Sequence, residues 1–367
     1  MKKRVLHVIN SFTIGGAEML LANSLSPGGL NEHTDNYLVY FIKVSDHMAS
    51  LVDKNVKQIC LDYKGGIDLI RLLRQLKKII KENEIDIIHT HLTPADFYVN
   101  TVRPKNIPQV HTLHIAYTTD METRRSLQLL EQNLFFNKKY CNLIFLSEYN
   151  KKDFLDNVRF RGQSFVVPNF VDDAYFEHQV KPFTDKPHGE LKMVAIGNFR
   201  IQKNYSYLLD IFKLLTGHNI HLDIYGGGDL EKYQQVIDEN QLKVTLMGQV
   251  TNMHERISGY DLFIMSSTNE GFPLSVFEAM AAGVPVMLTD IPPLREIVKN
   301  NALYFKLNDA GKAAEQVVAV LKNEIDITAM AVKAKEYAEK NVRREVYIKK
   351  LLDIYDRLNT FHEKGIK

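Results

Sequence analysis

The chain reads as α/β: two doubly wound, Rossmann-like domains facing across a cleft. Three observations predict this. Short β-rich runs alternate with helical patterns almost throughout the 367 residues, as they do in strand–crossover–strand units around parallel sheets. Several of these runs are continuously apolar and bounded by turn residues, as strands are when both faces of a parallel sheet are covered. One aperiodic polar stretch, 172–190 (DDAYFEHQVKPFTDKPHGE), separates two such series of similar size, and a chain of this length exceeds what one core ordinarily serves.

The first series is expected to place strands at 4–9, 37–42, 56–61, 85–89, 108–112, 142–147 and 164–167, with helices between several of them, at 68–83 and 122–139 for example. Residues 1–175 then form the first domain. Pro182, Pro187 and Gly189 mark a linker, taken as 176–190. A fresh series opens at Leu191, with strands at 191–197, 220–225, 243–247, 260–266, 284–288 and 302–305, giving a second domain over 191–344. The segment 343–361 is helical and charged. In folds of this kind ligands bind outside the carboxyl ends of the strands, so the polar residues that end strands are the ones to read for function.

Composition narrows the class. Hydrophobic residues make up 45% and charged residues 25%, as in a soluble globular protein. The formal net charge of +2 gives no argument for nucleic acid as a partner. The two cysteines, Cys60 and Cys141, lie in apolar surroundings and read as reduced core thiols, which points to the cytoplasm. The apolar run VLHVI near the start is too short for a signal peptide and is flanked by polar Asn10 and interrupted by His7, so it is expected to be a first buried strand. No apolar run approaches the length of a transmembrane helix, so any membrane contact is expected to be peripheral.

The most informative stretch is 269–286, NEGFPLSVFEAMAAGVPV. After a strand, Gly271 permits close backbone approach. Pro273 suits a first helical position and Gly283 an end, so a helix is expected from Pro273 to Ala282. Glu270 then sits just before the helix and Glu278 between one and two turns in. Free N–H groups around Phe272, Leu274 and Ser275 point the same way as both carboxylates. A carboxylate accepts two hydroxyl hydrogens, so each glutamate suits the vicinal diol of a ribose or a hexose. The plainer reading has Glu270 complementing the helix dipole and Glu278 solvated. The tight turn and the small-residue run EAMAAG favour the functional one.

This stretch resembles the Glu–seven residues–Glu signature of the retaining family-4 glycosyltransferases (glycosyl transferases group 1), which have the GT-B fold. The resemblance implies that Glu270 lies near the donor hexose and Glu278 binds the nucleotide ribose. In IGNFRIQKNYSYLLDIF, 196–212, Lys203 lies six past Gly197, as in the family's Gly-Arg-x-x-x-x-Lys phosphate motif, but the arginine position is Asn198. Arg200, two residues on, either substitutes for that arginine or is solvated. Fixed cations there would stabilise the charge that builds on a leaving nucleoside diphosphate. The loop NSFTIGGAEMLLANSL, 10–25, lacks the G-x-G-x-x-G spacing of a dinucleotide site. The family places such a GGAE loop close to the donor phosphates and the acceptor, with Gly16 exposing backbone. In VHTLH, His114 matches the family's cleft histidine that contacts the donor sugar; His91 and His111 read as supporting residues. The histidines lack a carboxylate or an i, i+4 pair, so no metal is expected. The glycines of YGGGDLEKY and the run MGQV resemble turns beside the nucleotide, and PNFVDD resembles the segment before the family's linker.

The helix at 67–84 carries Arg71, Arg74, Lys77, Lys78 and Lys81 opposite a leucine and isoleucine stripe. It is either a crossover helix with a solvated basic face or a contact for anionic lipid headgroups. Taken together, the resemblance implies a retaining, metal-independent hexosyltransferase without cofactor. It would use a nucleotide-sugar, UDP-linked by default, and a saccharide or lipid-linked acceptor in cell-surface polysaccharide assembly. It would sit in the cytoplasm or at the inner membrane face, with a final helix, about 345–367, crossing back onto the first domain. A nucleotide-sugar epimerase of the same fold and a non-catalytic nucleotide-sugar-binding subunit are the alternatives.

Overall fold

The structure, a computed structural model, describes residues 2–13, 15–42, 46–114, 136, 141–183 and 189–365. The helix expected over 122–139 lies, apart from Phe136, outside the described residues. The chain divides into two units, Met1–Asn169 with Arg344–Lys367, and Phe170–Arg343.

The first unit is built on seven parallel strands: β1 (Lys3–Ser11), β2 (Thr34–Ile42), β3 (Lys57–Cys60), β4 (Ile87–His91), β5 (Gln109–Leu113), β6 (Asn142–Phe145) and β7 (Gln163–Val166). Their order is β3-β2-β1-β4-β5-β6-β7. The chain winds outward from β1 through β3, returns to pair β4 with β1 (Val5 against Ile87), and winds outward on the other side. The reversal leaves a crevice at the carboxyl ends of β1 and β4, the switch point of such sheets. One face is covered by the helix Leu69–Glu82, whose Leu72, Leu76 and Ile80 recur every four residues and are buried against Leu6, Val8 and Ile88; each such side chain contributes roughly 1.5–3 kcal/mol. The helix Arg344–Gly365 belongs to this unit: Tyr355 is buried with its hydroxyl 2.7 Å from His89 Nδ1, and Lys3 pairs with Asp356.

The second unit holds six parallel strands: β8 (Leu191–Ile196), β9 (Ile220–Tyr225), β10 (Val244–Gly248), β11 (Leu262–Met265), β12 (Val286–Thr289) and β13 (Leu303–Phe305). The order β10-β9-β8-β11-β12-β13 puts the reversal between β8 and β11, where Leu262 pairs with Met193. Residues 176–183, expected in a linker, lie in this unit: Phe176 and Phe183 are buried in its core, because aromatic residues in an otherwise polar stretch find apolar partners. Lys335 tethers the same segment by donating to the carbonyls of Phe176, His178 and Ala281.

The helix after β11 spans Leu274–Ala281, one residue shorter at each end than expected. Pro273 is its N-cap, with ψ 88°, rather than its first residue. Gly283, at φ +75°, follows the C-cap and donates to Met280 O, a left-handed exit that glycine makes without strain.

Candidate active site

Two loops frame the crevice of the second unit, one after β8 and one after β11. The first is folded back on itself. Tyr205 donates its hydroxyl to Gly197 O at 2.7 Å, and Ser266 at the end of β11 donates to Lys203 O and Asn204 O. Thr268 N–H donates to Gln202 O at 2.8 Å. These bonds fix Lys203 beside the second loop, where its Nζ lies 2.8 Å from Glu270 Oε1. Their side chains keep 18% and 10% of their exposure, so the pair is mostly withdrawn from water and its attraction is little screened. The sequence marked both residues but not that they pair.

The glycine cluster after β9 packs against the same loop. A Cβ on Gly226 would lie 2.6 Å from Gly197 C, and one on Gly228 3.0 Å from Phe199 Cβ. Gly227 N–H donates to Asn198 Oδ1 at 3.0 Å. Asn198, expected among the diphosphate contacts, thus spends its side-chain carbonyl tying the two turns together. Arg200 is exposed and makes no side-chain ion pair among the described residues.

In the helix after β11, Ser275 donates its hydroxyl to Ile196 O at 3.2 Å, locking the helix start to the end of β8. Phe272 stacks on Phe277 with ring centroids 4.8 Å apart. Gly271 and Leu274 are partly exposed beside them. Glu278 is partly buried, and burial, helped by Asp172, pushes its pKa up to about 7. Asp172 belongs to the PNFVDD segment, which sequence reasoning read as structural; nothing in its spacing announces that it lies near Glu278.

In the first unit the crevice is lined by the loop after β1, by His91 at the end of β4, and by His114 just past β5. The space over Gly16 is open: an added Cβ would meet nothing within 4 Å. His114 Nε2 is buried with no hydrogen-bond partner among the described residues, and burial followed by His111 holds its pKa down to about 3. His111 bonds Thr90 Oγ1 at 3.0 Å and has Asp96 3.8 Å away.

Among the described residues, His7, His89 and His91 bring ring nitrogens within 4.8 Å of one another, a spacing a metal ion could use. Their hydrogen bonds argue for another role. Asn36 donates through Nδ2 to Asn31 and accepts from Thr34, so its Oδ1 is an acceptor and His7 Nε2 must donate to it at 3.3 Å. His7 Nδ1 is then the acceptor for His91 Nε2 at 3.4 Å. His89 spends both nitrogens on the hydroxyls of Tyr355 and Thr112, each at 2.7 Å. Burial holds all three well below the usual histidine range, with His7 at about 4. They form a neutral, hydrogen-bonded array that a metal would have to dismantle.

In the second unit a cation and a carboxylate meet at the switch point with a helix start beside them, groups of the kind that a phosphorylated, sugar-bearing ligand would need. Comparison with known proteins gives the family. The model for glycosyl transferases group 1 matches residues 177–341, and that for glycosyltransferase family 4 matches 34–175; the chain belongs to these GT-B glycosyltransferases. It is 26% identical over 326 residues to the UDP-Gal:alpha-D-GlcNAc-diphosphoundecaprenol alpha-1,3-galactosyltransferase of Escherichia coli, covering 80% of this chain and 82% of that one. It is 24% identical over 315 residues to the alpha-galactosylglucosyldiacylglycerol synthase of Streptococcus pneumoniae, covering 78% and 82%. In fold it is similar to the Anabaena protein HepE solved with UDP, with a TM-score of 0.78 at 15% identity over 97% of this chain and 100% of that one.

Proposed function

We propose that the chain is a retaining, metal-independent hexosyltransferase. It moves a hexose from a UDP-sugar to a saccharide or lipid-linked acceptor in cell-surface polysaccharide assembly. The observation that carries this reading is the Lys203–Glu270 pair at the β8/β11 switch point. Lys203 and the first N–H groups of the helix Leu274–Ala281 offer positive charge to a diphosphate, Glu270 offers acceptors to the hexose hydroxyls, and Glu278 does so for the ribose diol. As the bond from the anomeric carbon to the diphosphate breaks, its electron pair goes to the phosphate oxygen. The acceptor hydroxyl attacks from the same face and gives its proton to that oxygen, so the anomeric configuration is kept. No cofactor enters. The transferase relatives favour transfer over epimerisation. The UDP complexes of HepE and the UDP-Gal donor of the Escherichia coli relative support uracil as the base.

A thermal-shift panel with UDP, GDP and ADP, with and without chelator, tests this. A ligand that binds only the folded chain raises the midpoint. UDP is expected to give the largest shift, unchanged by chelator. No shift with any nucleotide would remove the donor site, and a shift lost in chelator and restored by metal would overturn metal independence.

A separate feature favours work at the cytoplasmic membrane face, where lipid-linked acceptors are found. No described helix is long and apolar enough to cross a membrane. On the helix Leu69–Glu82, however, Ile70 is 58% exposed and Ile67, just before it, is 95% exposed. Arg74, Lys77 and Lys81 continue the same exposed stripe at helical spacing, opposite buried Leu72, Leu76 and Ile80, and make no ion pair among the described residues. Each such cation near an anionic surface is worth about 1 kcal/mol. Co-sedimentation should show binding to phosphatidylglycerol-containing vesicles and not to pure phosphatidylcholine, weakened about tenfold by Ile67→Ser with Arg74→Glu. Equal binding to both vesicle types, or none, would leave the stripe merely solvated.

A further inference from the structure

The Gly15–Gly16 turn holds a feature that its backbone does not explain. Gly15 caps the helix Gly16–Ser24 with φ −149° and ψ 166°, extended backbone open to any residue. What a side chain there would meet, and have to displace, is the end of Glu18. A Cβ on Gly15 would lie 3.0 Å from Glu18 Cδ and 3.3 Å from Oε1, with Oε2 closer still, and these are the three nearest atoms it would meet. The Glu18 side chain therefore folds back over Gly15 instead of reaching water, and the residue is only 9% exposed. The Thr13 hydroxyl and the Glu18 backbone N–H lie near the carboxylate and favour its charged form. Glutamate at the third helical position is where a capping box places one, but here the N-cap glycine has no side chain to return the bond. Burial raises the Glu18 pKa above the usual carboxylate range, so withdrawing the group from water costs free energy that a solvated glutamate would not spend.

We propose that Glu18 is a positioning residue: its carboxylate, seated over Gly15 and buried there, holds the Gly15–Gly16 turn in the single conformation that the transfer reaction uses. The inference rests on the proposed glycosyl transfer, in which this turn lies against the substrates. It also explains the pairing of residue types in GGAE. The glycine makes room for the carboxylate, the carboxylate fixes the turn, and the second glycine leaves the backbone uncovered above it.

A double-mutant cycle on the full chain tests this. Glu18→Ala removes the latch. Gly15→Ala keeps an allowed backbone and displaces the same carboxylate. Each is expected to speed amide exchange in a peptide spanning 12–20 about tenfold and to lower UDP release from UDP-glucose or UDP-galactose about tenfold. KM is expected to stay within twofold, and UDP affinity by calorimetry to be unchanged. The double variant should be no worse than either single one, and Glu18→Gln, which keeps an acceptor, should recover most of the loss. Unchanged exchange in Glu18→Ala, effects that add in the double variant, or faster exchange with undiminished turnover would each overturn the role. A wild-type chain that releases no UDP would count against the proposed transfer, while the exchange data would still decide whether Glu18 holds the turn.

Discussion

Lys203→Ala is expected to lower turnover by about two to three orders of magnitude, the usual loss when one fixed donor to a developing negative charge is removed. The pairing with Glu270 complicates the choice of control. Removing the lysine leaves a mostly buried carboxylate without its 2.8 Å partner, which destabilises the fold by roughly 1–3 kcal/mol. The double variant Lys203→Ala with Glu270→Ala removes both charges and should regain much of that stability without regaining turnover. Steady-state kinetics beside thermal melts separate the two effects. Activity within a few-fold of wild type in a folded Lys203→Ala chain would take this lysine out of the mechanism.

The second large effect concerns Glu278 and has a sign fixed by its surroundings. Burial and Asp172 hold its pKa at about 7, above the value of an unfolded glutamate near 4.3. Only the ionised carboxylate accepts both ribose hydroxyls, so UDP affinity should be greatest above pH 7 and weaken toward tenfold per pH unit below it. The terminal phosphate of UDP titrates near pH 6 as well, so the diagnostic quantity is the difference from Glu278→Gln. That variant should bind about ten- to a hundredfold more weakly at pH 8 and lack the component due to Glu278. Stability moves the other way. A raised carboxyl pKa contributes stability below the unfolded value that is lost as pH rises through 7, so the unliganded Glu278→Gln chain should be more stable than wild type at pH 8, by roughly 1–3 kcal/mol. Equal calorimetric affinities for wild type and variant across pH 6–8 would remove Glu278 from the ribose.

The fold was legible because parallel strands covered on both faces leave an unmistakable trace. Runs such as LKMVAIG and NLIFLS carry their apolar character without alternation, and their edges shifted by only a few residues in the structure. The residues of the candidate site were legible as types: a lysine six past a glycine, two glutamates bracketing a helix start. Their partnerships were not, because a hydrogen bond across 67 residues, as between Lys203 and Glu270, leaves no periodic signal. Asn198 shows the same limit. Its place in a phosphate-like motif suggested a ligand contact, while its side-chain carbonyl is taken by Gly227 from another loop. Glu18 and Asp172 escaped notice for a related reason: what matters about each is the neighbour it folds against.

The first unit is assembled from both ends of the chain. Tyr355, buried against His89, lies 266 residues after it, and the whole second unit intervenes without a break. As the chain emerges from a ribosome, the second unit can complete its sheet from one continuous stretch and close early, since domains generally fold as units. The first unit, although begun first, cannot cover the His89 ring with Tyr355 until the helix Arg344–Gly365 is released. Completion of the first unit is therefore expected to follow that of the second, against the direction of synthesis.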